Sequence, residues 1–248
     1  MIWVACDGAS QIGRLSGVLY RLVESQEQVA TMGYVDTLDE QAMLEDMLEQ
    51  AKPAYPLDIA PYHYLLTTPF RYPPLQWGSR FGRVNEPSLF YAGCKPSVAL
   101  AESAFYRFVF LTSMADVTTE DRMRSEHTLF SVDYRSVNAV QLQLSPFNQY
   151  QTVLTDPKDY SSPQQLGSDM RSAGVEVFEY TSARDPNNGV CIALYNTLPF
   201  RQHKPKNRTK WLCETTIDVV SFKQLEENEP VHFSISDFLV DGVLPLPA

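Results

Sequence analysis

Apolar residues at Leu15, Val18, Leu19, Leu22 and Val23 recur at the spacing of one helical face, so the first fifty residues read as helical. A second helix is predicted from Thr37. Thr37-Leu38-Asp39-Glu40 has capping-box spacing, Leu44, Met47 and Leu48 continue an apolar face, and Lys52-Pro53 stops it. The proline-rich stretch from Pro53 to Pro61 reads as a linker. Strand-type runs then dominate: Tyr64 to Leu66, Ser88 to Ala92, Thr128 to Val132, Val175 to Tyr180 and Val190 to Tyr195. A further helix opens at Pro96, where a missing N–H costs nothing. Helices first and strands later predict an α+β fold, with a helical region at 1–60 and the main domain at 61–248.

That last helix carries Glu102. One turn behind it stand Val98 and Ala99, one turn ahead Phe105 and Tyr106, and none is cationic. Helical neighbours lie three and four residues apart, so this glutamate lacks the local ion pair that commonly accompanies a helical surface Glu. Upstream, Phe70-Arg71-Tyr72 and Ser79-Arg80-Phe81 each set an arginine between strand-type residues, with Pro73-Pro74 turning the chain between them. An arginine within a strand buries its stem and needs an anionic partner, either a protein carboxylate or a bound phosphate.

The 248 residues are enough to bury a core without disulfide staples. A net charge of -10 argues against general nucleic-acid binding, and the one basic run, Arg201 to Lys210, reads as a solvated loop. Cys6, Cys94, Cys191 and Cys213 are scattered without metal-ligand spacing, which predicts reduced thiols and no metal. With no apolar run long enough to span a bilayer, a soluble, cytoplasmic protein is expected. Gly8 to Arg14 lacks the Lys-Ser/Thr of a phosphate loop and reads as a turn. His63, His127, His203 and His232 lie far apart and receive no catalytic role.

Four segments in order, GSRF at Gly78 to Phe81, PSLFYAG at Pro87 to Gly93, ALAE at Ala99 to Glu102 and GVEVFEYTSAR at Gly174 to Arg184, resemble the RES-domain family. These are toxins of bacterial toxin–antitoxin pairs named for an arginine, a glutamate and a serine. The resemblance spans roughly residues 65 to 200. It implies an ADP-ribosyltransferase-like split β-core that binds NAD as substrate, and an Xre-type helix-turn-helix antitoxin as partner. It also implies consumption of NAD by hydrolysis or phosphorolysis, or ADP-ribosyl transfer to a protein.

The chemistry asks for such residues. Cleaving the nicotinamide–ribose bond passes through an oxocarbenium-like sugar, which a fixed carboxylate stabilises, and Glu102 is the candidate. The two phosphates of NAD suit arginine, and Arg71 and Arg80 both fit that role. Tyr91 is assigned to stacking on or hydrogen-bonding the nicotinamide, and Ser182 to orienting the ribose or the glutamate. Each has a plainer reading: Tyr91 as a core strand aromatic, Ser182 as a turn former. Arg184 and Asp185 read as a loop-surface pair outside the catalytic set. Three functions stay open: an NAD-consuming toxin, a protein ADP-ribosyltransferase, and an inactive binding module of the same fold.

Overall fold

In the computed structural model, which describes residues 1–25, 34–55, 61–114, 118 and 121–246, the segment containing Leu15 to Val23 is a strand. This corrects the helical reading. Strand β1 (Gly13–Glu24) has apolar contacts on both faces: buried Leu19 and partly buried Val23 pack in one core, partly buried Tyr20 and Leu22 against another. With both faces apolar, a strand also satisfies the helical spacing, and the pattern alone cannot choose the period.

Along the chain follow helices α1 (Ile2–Ala5), α2 (Leu38–Ala51), α3 (Tyr64–Arg71), α4 (Pro96–Thr112), α5 (Gln151–Leu154) and α6 (Ser161–Ser172). The strands after β1 are β2 (Phe90–Gly93), β3 (Met123–Gln141), β4 (Val177–Thr181), β5 (Val190–Leu194), β6 (Lys206–Thr215), β7 (Val219–Gln224) and β8 (Val231–Ser234). The mixed α/β arrangement agrees with the α+β expectation. Helix α2 starts and stops where its caps predict, with the Thr37 side chain accepting from the Glu40 N–H. The 53–61 linker lies largely outside the described residues.

Tyr64 to Leu66 opens α3 instead of forming a strand, because His63 caps the helix with Nδ1 accepting from the Leu65 N–H. A three-residue apolar run is too short to fix a period. Arg71 therefore ends a helix. Arg80 is not in a strand either: it sits in a tight turn closed by hydrogen bonds between Ser79 and Gly82. The basic run is also no simple loop, since Lys206 to Lys210 begins β6.

The eight strands form one sheet in the order β1-β2-β5-β4-β3-β6-β7-β8, and β1 also pairs with β3, which closes the first five into a ring. Strand β3 is the pivot. One edge takes β1 along His127 to Ala139, while the other edge is divided between β6 at Met123 to Ser131 and β4 at Ala139 to Gln141. Two strands thus diverge from one edge. Helix α4 packs beside this ring through the fully buried Phe105 and Phe108. Each contributes about 1.5–3 kcal/mol by burial, so the core sets the helix's position and Glu102 is carried along with it.

Candidate active site

A cleft of about 780 Å³ runs between α4, β1, β2 and the 79–82 turn. Arg80, Tyr91 and Glu102 all line it. Ser182 stands directly behind Glu102, 3 % exposed, with Oγ donating to Glu102 Oε1 at 2.5 Å. The same hydroxyl accepts from the N–H groups of Arg184 (3.1 Å) and Asp185 (2.9 Å), so its lone pairs are spent and its proton is directed at the carboxylate. The loop behind is closed by Asp185, whose carboxylate takes the N–H groups of Asn187 and Gly189.

Glu102 Oε1 also accepts from Cys191 Sγ at 3.4 Å. Burial first, and the glutamate's charge next, push the Cys191 thiol well above its ordinary range, so it stays protonated and donates. No cation pairs with Glu102 among the described residues, and Oε2 carries no hydrogen bond to them. One oxygen is locked and the other is free at the wall of the cleft.

Tyr91 does more than line that wall. Its hydroxyl accepts from the Phe81 N–H (3.1 Å) and shares a hydrogen bond with Ser79 Oγ (2.9 Å), which ties β2 to the turn that presents Arg80. Burial raises its phenol to about 12. The turn needs Gly78, which sits at φ +74°, and a Cβ there would lie 2.3 Å from the Gly82 carbonyl oxygen. Arg80 Nη1 donates to the carbonyls of Leu154 (3.2 Å) and Asp156 (2.7 Å), and the guanidinium lies 4.6 Å from the Tyr160 ring centre. Its partners are neutral carbonyls and not the expected anion. Nη2 and Nε stay uncommitted among the described residues.

Arg71 is elsewhere. It pairs with Glu49 of α2 at 2.7 Å and stacks on Tyr55, outside the cleft wall, so the expected second arginine is not brought to the site. Arg184 takes that place. Read from sequence as a loop-surface residue, it is 5 % exposed, lies 3.6 Å above the Phe105 ring and donates from Nη2 to Tyr160 Oη and the Pro157 carbonyl. It does not pair with Asp185. Arg80 and Arg184 thus flank Tyr160 on one side of the cleft. The visible signal was Arg184's place two residues after Ser182, in the same segment that carried the resemblance.

The opposite end is built from Tyr20, Glu24, Arg107, Phe110 and His127. There Arg107 pairs with Glu24, and the pKa of buried His127 is held down to about 4 by desolvation, with no hydrogen bond to Nδ1 among the described residues. Among the described residues, no cluster of His, Cys, Asp and Glu is arranged to hold a metal ion. No described helix is long and apolar enough to cross a membrane.

A family model described as RES domain matches residues 55–215. Among curated proteins, none matches the chain. The matched segment contains Arg80, Tyr91, Glu102, Ser182 and Arg184, while β1 contributes Tyr20 and Glu24 to the cleft from outside it.

Proposed function

The chain belongs to the RES-domain family, whose members are NAD-utilising enzymes associated with toxin–antitoxin pairs, and we propose that it cleaves the nicotinamide–ribose bond of NAD. The observation that carries this reading is Glu102: one oxygen fixed by Ser182 and Cys191, the other uncommitted, in a cleft large enough for a dinucleotide. As the glycosidic C–N bond breaks, its electron pair leaves with neutral nicotinamide and the ribose becomes cationic. A preoriented carboxylate is worth more to that cation than to the ground state. Arg80 and Arg184 face the pyrophosphate, Tyr91 holds the Arg80 turn against the nicotinamide end, and Ser182 aims Glu102. Water adds to the cation with loss of a proton to give ADP-ribose, and inorganic phosphate gives the 1-phosphate. The two strands that diverge from one edge of β3 support an ADP-ribosyltransferase-like core.

In the cell the protein acts as a toxin held in check by an Xre-type helix-turn-helix antitoxin. The test is chromatography of NAD incubated with the protein, offered water, phosphate or lysate proteins as acceptor. Nicotinamide release is expected, and NAD left intact under all three conditions overturns the reading. Label from NAD appearing on protein in a gel would instead assign ADP-ribosyl transfer.

A further inference from the structure

Arg80 and Arg184 enter the cleft from different loops, yet both are held by one short segment, residues 154–160. Arg80 donates only from Nη1, to the Leu154 and Asp156 carbonyls, and Arg184 only from Nη2, to the Pro157 carbonyl and Tyr160 Oη. Neither makes an ion pair among the described residues. The Asp156 carboxylate is turned to its own loop, where it accepts from the Lys158 (2.8 Å) and Asp159 (2.9 Å) N–H groups, as Asp185 is turned to Asn187 and Gly189. Nε and the second Nη of each arginine are left uncommitted among the described residues.

Tyr160 is the side chain that the two share. It is 3 % exposed, the Arg80 guanidinium lies 4.6 Å from its ring centre, and its hydroxyl accepts from Arg184 at 3.1 Å. Its backbone opens α6, with the Tyr160 carbonyl accepting from the Gln164 N–H at 2.8 Å. Two contacts tie that helix to the turn that presents Arg80. Gln164 Nε2 donates to the Trp77 (3.0 Å) and Ser79 (3.1 Å) carbonyls, and Gly167 lets α6 press on Phe81, where a Cβ would lie 1.9 Å from the Phe81 carbonyl oxygen. Arg184 is backed in turn by the Phe105 ring of α4. One tyrosine at a packed helix start therefore meets an arginine from each of two separate loops.

We propose that Tyr160 is the positioning residue that joins Arg80 and Arg184 into one clamp for a diphosphate, its ring face holding one guanidinium and its hydroxyl the other. Two cations brought together without an anion repel each other, and a ligand carrying two negative charges relieves that repulsion. Backbone carbonyls and an aromatic ring fix the donors without an opposing charge, so both positive charges stay available to the ligand. Each planar guanidinium can then take one phosphate. Tyr160 acts through the arginines and not on the reacting bond. That the diphosphate is the one in NAD rests on the cleavage reading above; the clamp itself does not.

The experiment is isothermal titration of the full chain with ADP-ribose, which carries the diphosphate and lacks the nicotinamide–ribose bond. Tyr160→Phe keeps the ring beside Arg80 and removes the acceptor for Arg184, so it should weaken binding about five-fold, the scale of one side-chain hydrogen bond. Tyr160→Leu also removes the cation–π contact and should weaken it by at least about twenty-fold. A double-mutant cycle separates positioning from a general loss of structure. The Phe substitution should cost nothing further in Arg184→Ala and its full factor in Arg80→Ala. In NAD turnover Tyr160→Phe should raise KM by a similar factor with little change in kcat. The proposal fails if Tyr160→Phe binds as the unaltered protein does, if its effect persists in Arg184→Ala, or if ADP-ribose does not bind at millimolar concentration. Should Tyr160→Leu unfold, the cycle with the nearly isosteric Phe still decides. Nicotinamide release is followed in parallel: ADP-ribose bound with NAD left intact removes the cleavage reading and keeps the clamp, whereas NAD cleaved with an additive cycle removes only the clamp.

Discussion

The two ends of the cleft are built on different physical terms. At the Glu102 end each polar group is fixed by a neighbour that is itself fixed: Ser182 by two backbone N–H groups, the loop behind it by Asp185, and Tyr91 by the turn it pins. At the Glu24 end a single ion pair, more than half exposed on its carboxylate side, spans β1 and α4. Preorganisation is worth most where charge develops, because fixed dipoles need no reorganisation during the reaction. On the proposed NAD-cleaving reading, the comparison assigns chemistry to the first end and adaptable contact with the substrate's far half to the second.

The sharpest way to break it is Glu102→Gln, which keeps size and hydrogen bonding but removes the charge. Nicotinamide release should fall about 10²–10³-fold in kcat, the scale of a preorganised electrostatic group. Denaturant unfolding should shift by no more than about 1 kcal/mol. Near-normal turnover by the folded variant would strip Glu102 of its role. Ser182→Ala comes next. It leaves the carboxylate but frees its orientation, so kcat should fall about ten-fold, with stability lowered by about 1–3 kcal/mol because two N–H groups lose their acceptor.

The arginines sharpen the contrast through binding. Arg80→Ala and Arg184→Ala should each raise KM more than they lower kcat, since a pyrophosphate contact acts on ground and transition states alike. Arg71→Ala, with its charge spent on Glu49 far from the cleft wall, should leave both unchanged in steady-state kinetics.

How much of this was legible follows from the range of the interactions. Glu102 could be singled out because its exception was local: a helical glutamate without a cation at i±3 or i±4. The α4 start and the α2 caps were legible for the same reason. Strand β1 was not, since its apolar contacts on both faces depend on β3, more than a hundred residues away, and on cores that no window contains. Arg71 and Arg184 were exchanged for a related cause. In sequence Arg71 stands between Phe70 and Tyr72 and Arg184 between Ala183 and Asp185, and only the packing of α2 on Arg71 and of Phe105 under Arg184 decides which one reaches the site.

His127 tests the open end through pH. Burial depresses its pKa to about 4, below the roughly 6.5 of an unfolded histidine. As pH falls from about 6.5 toward 4, the unfolded chain takes up a proton that the folded chain refuses, so this group lowers stability across that window and adds nothing further below it. Urea midpoints at pH 7 and pH 4.5 should separate less for His127→Gln than for the unaltered protein. An equal separation would mean that the imidazole charges in the folded state.

The smallest effect is expected at Glu24. The Arg107–Glu24 pair is a partly exposed bridge of a kind worth at most about 1 kcal/mol, and it is screened by salt. Glu24→Gln should therefore change KM for NAD by no more than about three-fold at low ionic strength and leave kcat untouched. Raising the salt should reduce even that difference, because the screened pair is already weak in the unaltered protein. A loss of kcat in Glu24→Gln comparable to that of Ser182→Ala would erase the distinction between the two ends and make the reacting bond lie nearer β1 than α4.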